Sequence, residues 1–144
     1  MKIKKGSRRI AFVLSLLTIK IPINIDGIKN NWGEFLFYWM TRHRFLQPTY
    51  FSFFGLLNLQ LTGKEFTIEP ENHFWFQLAD IAGSGNHLIP DAHHLININN
   101  FCWSKKGLRI LDYGSLKTQA MVIIYGYDFA KKFTLDYVHT WDDD

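Results

Sequence analysis

The chain has a single cysteine, Cys102, among its 144 residues. One cysteine excludes an internal disulfide and suits a reducing compartment such as the cytoplasm. It lies in the apolar run Phe101-Cys102-Trp103, where a small buried side chain is expected rather than a nucleophile. Long hydrophobic runs are also missing, since no apolar segment reaches the roughly 18 residues that a membrane-spanning helix needs. Ile10 to Ile19, behind a basic start, resembles the first two parts of a secretory signal. Lys20 follows at once, however, and no small-residue cleavage site appears. Glycine is scarce early in the chain, Gly6 alone preceding Lys20. Internal repeats are absent, and the only biased segment is the terminal Asp142 to Asp144. These absences point to a soluble cytoplasmic protein without a membrane span.

What is abundant is aromatic side chain, 17% of the residues, a load that serves either a dense core or a surface kept for a protein partner. With 47% apolar content, the length supports one domain of two small lobes. We expect a β-rich lobe over 1–64, a polar linker over 65–72 containing Pro70, and a helical and hairpin lobe over 73–144. The net charge of +3 comes mainly from the first nine residues, where Lys2, Lys4, Lys5, Arg8 and Arg9 cluster. Such a run ordinarily reads as a solvated, flexible terminus, with contact to nucleic acid or anionic lipid as the functional alternative.

Along the chain, Arg9 to Ile23 reads as strand, with Lys20 between Ile19 and Ile21 and therefore facing away from them. Lys20 is then either an edge lysine in water or a buried cation in need of a partner. Asn24 to Asn31, with Asp26-Gly27, reads as a turn. Trp32, Phe35, Leu36, Trp39 and Met40 recur at helical spacing to about His43, which predicts a helix capped by Asn30 or Asn31. Glu34 would sit in its first turns, favourable for the helix dipole, and Trp32, Phe35 and Trp39 would face the core. Two strands, Thr49 to Phe54 and Gly55 to Leu61, meet at Gly55, with Phe51, Phe53 and Phe54 covering the sheet. His73 to Ala82 reads as a short helix, Phe101–Trp103 and Leu108–Leu111 as a β-hairpin, and Lys117 to Phe133 as a final amphipathic helix. The hairpin brings Asn100 and Asp112 to adjacent ends, a hard-oxygen pair suited to Mg²⁺ and phosphate.

In this order the chain resembles a protein-kinase-like fold in miniature, over roughly residues 8 to 116. Thr18-Ile19-Lys20 resembles the Val-Ala-Ile-Lys strand, Glu34 the helix glutamate, and Asp112-Tyr113-Gly114 a variant of Asp-Phe-Gly. The resemblance implies an α+β fold and assigns roles residue by residue. Lys20 would hold nucleotide phosphates and pair with Glu34, while Asn100 and Asp112 would bind Mg²⁺ beside ATP. The position five residues before Asn100, where the family carries its catalytic aspartate, is Leu95, which leaves Asp91 or His94 to orient an acceptor. The glycine-rich phosphate lid is reduced to Gly6. The expected function is thus a divergent phosphotransferase, or a kinase-like module impaired in catalysis that binds a nucleotide or a protein partner as a subunit of a larger assembly.

Two other readings rest on histidines. His93, His94, Asn97, Asn99 and Asn100 suggest a metal-dependent nuclease hairpin served by the basic N-terminus, although the segment after Asp112 offers no histidine before His139. His87, His93, His94 and Cys102 suggest a zinc site, with spacing too irregular for the usual ligand sets.

Overall fold

The structure, a computed structural model, describes residues 1–65, 100–105 and 107–132. It is an α+β fold. Strands β1 (Lys2–Lys5), β2 (Arg9–Val13), β3 (Leu17–Pro22), β4 (Thr49–Ser52) and β5 (Asn58–Leu61) form one antiparallel sheet in the order β1-β2-β3-β5-β4. Helix α1 (Ile25–Thr41) connects β3 to β4 and packs on both, as well as on β5. A second antiparallel sheet holds β6 (Lys64–Glu65), β7 (Phe101–Ser104) and β8 (Gly107–Ile110), and helix α2 (Leu116–Lys132) packs on β8.

The basic start is built into the sheet. β1 pairs with β2 from Lys2↔Val13 to Lys5↔Ile10, so the lysines hang from a strand instead of a flexible terminus. Helix α1 begins six residues before the first apolar repeat would place it, relative to Asn31. Asn24 is its N-cap, with its side-chain oxygen accepting the Gly27 N–H at 2.9 Å, which makes Asp26-Gly27 the first helical turn and no separate bend. The helix ends at Arg42, which adopts a left-handed backbone and donates its N–H to the Tyr38 carbonyl at 2.6 Å. Glycine at 27 is required, because a Cβ there would overlap the Arg8 carbonyl of the neighbouring β1–β2 turn.

The five-stranded sheet inverts the usual pattern, burying polar side chains. Thr18 and Lys20 of β3, Asn58 and Gln60 of β5 and Thr49 of β4 are all buried, and the register sets Thr18 opposite Gln60 and Lys20 opposite Asn58. The buried residues of α1 follow suit, being Gly27, Asn31, Glu34 and Phe37. Their spacing is helical, but the face it defines is mainly polar. The aromatic stripe of α1 therefore lies off the buried face, with Trp32 and Phe35 half-buried at its flank. Trp39 and Leu36 are exposed and Met40 is 82% exposed, which corrects the expectation of a core-facing stripe. Phe51 and Phe53 are exposed as well, and Phe54, 69% exposed, takes a left-handed backbone at φ 51° and stacks on Trp32 at 6.0 Å between ring centroids. They form an outer aromatic surface and do not cover the sheet.

The apolar core sits in the other half. Phe45, Leu46, Phe101, Trp103, Leu108, Ile110, Tyr113, Met121, Val122 and Phe129 cluster together. The segment after α1 is stitched into this core by β8, through Gln47 N–H to the Ile110 carbonyl at 3.0 Å and Ile110 N–H to the Phe45 carbonyl at 2.8 Å. Cys102 is buried within the sheet, and burial pushes its thiol pKa up to about 12, so it is an inert core residue.

His43 closes the gap between α1 and α2. Its Nδ1 accepts the Phe45 N–H at 3.0 Å, which leaves the neutral ring's proton on Nε2, and its ring lies 4.1 Å from that of Tyr127. Gly126 permits this approach, since a Cβ there would come to 2.7 Å from the His43 ring. Burial lowers the His43 pKa, so the folded protein takes up a proton less readily than the unfolded chain. Stability is then whole above the unfolded value of about 6.5 and is lost as the pH falls, with a slope of at most about 1.4 kcal/mol per unit from this group. Urea unfolding between pH 8 and pH 5 should show this slope, and His43→Phe should flatten it.

Candidate functional site

Four charged side chains from distant parts of the sequence meet where β2, β3, α1 and the segment after β8 converge. Lys20 projects from the buried face of β3 because alternate strand residues share a face. Its Nζ donates to Glu34 Oε1 at 3.0 Å, to Glu34 Oε2 at 3.2 Å and to the Leu111 carbonyl at 2.7 Å. Glu34, fully buried, also accepts the backbone N–H of Tyr113 at 3.1 Å. Arg9, from the first position of β2, donates through Nη1 to Glu34 Oε2 at 2.5 Å and to Asn31 Oδ1 at 3.0 Å, and through Nη2 to Asp112 Oδ1 at 2.6 Å.

The four charges sum to zero, two cations against two carboxylates. Burial alone would cost such ions several kcal/mol each, and pairing with full hydrogen bonding offsets it. The two cations feel this balance differently. For Arg9, burial opposes the charge, but Glu34 and Asp112 outweigh it and hold the pKa above its ordinary value. For Lys20, burial dominates and lowers the pKa, against the pull of Glu34 and with a further push from Arg9.

A polar frame holds these groups. Asn31 donates to the Lys20 carbonyl at 3.1 Å and to the Gly55 carbonyl at 3.0 Å, and Asn58 donates to the Asn31 carbonyl at 2.7 Å. Gln60 reaches the Leu111 carbonyl at 2.9 Å, the same oxygen that Lys20 holds. The Asp112-Tyr113-Gly114 segment is thereby drawn onto α1. Gly114 allows the contact, because a Cβ there would stand 2.8 Å from the Asn30 Cα. The Tyr113 hydroxyl lies 2.7 Å from both Thr49 Oγ1 and the Gln47 carbonyl, so this one residue links the segment to both strand β4 and the loop before it. Burial raises the Tyr113 pKa well above the usual phenol value, and the ring serves as a neutral hydrogen-bonding core group.

Beside this network opens a cleft of about 1200 Å³ between the β1–β2 hairpin and the second sheet. Lys2, Lys4, Lys5, Arg8, Arg9, Lys20 and Lys117 line it, together with Asn100, Thr62 and Ser115. Asp112 is the one acid among the described residues of its wall. A concave surface with this balance concentrates anions.

The expected site residues thus divide into two groups. Lys20 and Glu34 form the pair that the kinase resemblance implies. Asn100 and Asp112 lie at neighbouring ends of the hairpin, where Leu111 N–H donates to the Asn100 carbonyl at 2.7 Å, and both face the cleft. Asp91 and His94, offered for acceptor chemistry, fall outside the described residues, as do His87, His93, Asn97, Asn99 and His139 of the nuclease and zinc readings. No cluster of three or more potential metal ligands occurs among the described residues.

The sequence reading missed Arg9. Arg9 belongs in sequence to the terminal basic run, yet its side chain is only 10% exposed. A signal existed, because Arg9 opens the strand that pairs with the Lys20 strand, through Arg9↔Pro22. Nor did helical spacing reveal Asn31, which was read as a cap. Among the described residues no helix is long and apolar enough to cross a membrane. No protein-family model, curated protein or solved structure matches the chain.

Proposed function

We propose that the chain is a kinase-like module that binds a nucleotide or a related polyphosphate in the basic cleft, with phosphoryl transfer weak or lost. The observation that carries this reading is the Lys20–Glu34 pair locked to the Asp112-Tyr113-Gly114 segment, through Leu111 O and Tyr113 N–H. Fixed in this way, the network forms the floor of a cleft whose described wall bears seven cations and one carboxylate. Positioning and electrostatics are what phosphate recognition requires. The single early glycine, Gly6, and Leu95 at the position of the family's base favour binding over turnover.

A divergent phosphotransferase using ATP and Mg²⁺ is the second reading, with Asp91 or His94 to orient the acceptor. The exposed apolar side chains of Trp39, Met40, Phe53 and Phe54 support a further role for the same module as a subunit docked to a protein partner. Patches of this kind on a monomer are commonly functional.

Thermal unfolding with and without millimolar ATP tests the proposal. A ligand bound only by the folded state at a hundredfold excess over Kd stabilises by about 2.7 kcal/mol, and the exposed double variant Lys5→Glu/Arg8→Glu should lose that gain while folding normally. No shift in the natural chain, with or without Mg²⁺, would remove both nucleotide readings.

A further inference from the structure

We infer that Arg9 stands in for the divalent cation, so that the cleft takes a polyphosphate chain without Mg²⁺. This inference rests on the polyphosphate reading above and specifies its chemistry. Asp112, the carboxylate expected to hold the metal, already directs Oδ1 to Arg9 Nη2 at 2.6 Å. The same guanidinium binds Glu34 and Asn31 through Nη1. A divalent ion at Asp112 would sit against a fixed positive charge that cannot be lost by deprotonation. It would also meet a single carboxylate on the cleft wall among the described residues, and that carboxylate is already neutralised. The described residues therefore do not fit a magnesium centre of hard, uncommitted oxygens.

They do fit direct capture of phosphate. Arg9 uses three of its N–H groups on Asn31, Glu34 and Asp112, and a guanidinium carries five. The remaining Nε–H and one Nη2–H match the oxygens of a phosphate group. Lys5 and Arg8 from the β1–β2 hairpin and Lys117 from the start of α2 line the same space, and all three are exposed. Together they supply the charge that a metal ion otherwise brings to a triphosphate. The ligand class is a linear polyphosphate, carried by a nucleotide or free.

Calorimetric titration of the full chain decides this, with inorganic tripolyphosphate and with ATP, each in EDTA and again in excess Mg²⁺. The expected result is binding of tripolyphosphate in EDTA, with Kd changed less than threefold or weakened by Mg²⁺. Asp112→Asn, which frees the guanidinium while keeping the side-chain shape, should bind in EDTA as tightly as the natural chain or more tightly. Arg9→Lys, which keeps the charge and loses the fork, should bind at least tenfold more weakly. Equal affinity for the two ligands identifies the free polyphosphate chain as the recognised group, and a tenfold preference for ATP identifies a nucleotide; both support the inference. Binding that requires Mg²⁺ and is lost in Asp112→Asn overturns the inference and leaves the nucleotide reading standing. No binding under any of the four conditions overturns both.

Discussion

Glu34→Ala should destabilise the protein by about 3–5 kcal/mol, the cost of removing one partner from a buried charge pair. Glu34 is the hub on which Lys20, Arg9 and the Tyr113 N–H converge. Its loss leaves two buried cations facing one carboxylate, Asp112, which is partly exposed. It also leaves a buried N–H without its acceptor, which adds to the penalty. Chemical denaturation monitored by circular dichroism measures the effect. Adding Lys20→Met to Glu34→Ala should recover part of the loss, because removing the second charge removes its desolvation cost, and close partners couple by about 0.5–3 kcal/mol. Equal stability of Glu34→Ala and the natural chain would show that the network is not formed in solution.

Tyr113→Ala should cost a similar amount for a different reason. The ring is fully buried, packs against Phe37 at 6.2 Å between centroids, and lies in the cluster shared with Phe45, Ile110 and Met121. Truncating a large buried aromatic leaves a cavity and costs about 3–5 kcal/mol. Tyr113→Phe separates packing from hydrogen bonding. It keeps the ring and strips the hydroxyl from Thr49 and the Gln47 carbonyl, for an expected loss of about 1–2 kcal/mol. The comparison of the two variants by denaturant midpoint shows how firmly the Asp112 segment is tied to the five-stranded sheet. A Phe variant as unstable as the Ala variant would mean that the hydroxyl, and not the ring, carries the link.

These two residues explain why the molecule spends so many polar side chains on its interior. An apolar layer between α1 and the sheet would be simpler to stabilise, and buried ion pairs are weak evidence for stability as such. Here the polar layer fixes the position of one short segment, Leu111 to Gly114, relative to β3 and α1. Lys20 and Gln60 share the Leu111 carbonyl, Glu34 takes the Tyr113 N–H and Thr49 meets the Tyr113 hydroxyl. A site that must present Asp112 and Arg9 at the edge of a cleft gains from such rigid support.

How much of this was legible beforehand depends on the range of the interactions concerned. The hairpin of β7 and β8 and helix α2 were readable within a residue, because local apolar periodicity and the turn at Gly107 specify them. The bend at Gly55 was readable too, since glycine accepts the φ of 82° found there. The start of α1 was not, because its first two turns bury polar and glycine positions, so that periodicity of apolar residues begins only at Trp32. The same inversion misplaced the aromatic stripe: periodicity reports which residues share a face, and nothing in it says whether that face is inside.

The sequence by itself determined the α+β class, the β7–β8 hairpin and helix α2, and it raised the expectation that Lys20, Glu34, Asn100 and Asp112 work together, while the expected helix His73–Ala82 lies outside the described residues. Those features depend on neighbours in the chain and on motif order. Only the tertiary structure decided that Arg9 meets Glu34, 25 residues away, and Asp112 across 103 residues. The reason is electrostatic. A buried charge must find an opposite one wherever the fold supplies it, and that choice is made by strand pairing and helix placement, which no local stretch of sequence records.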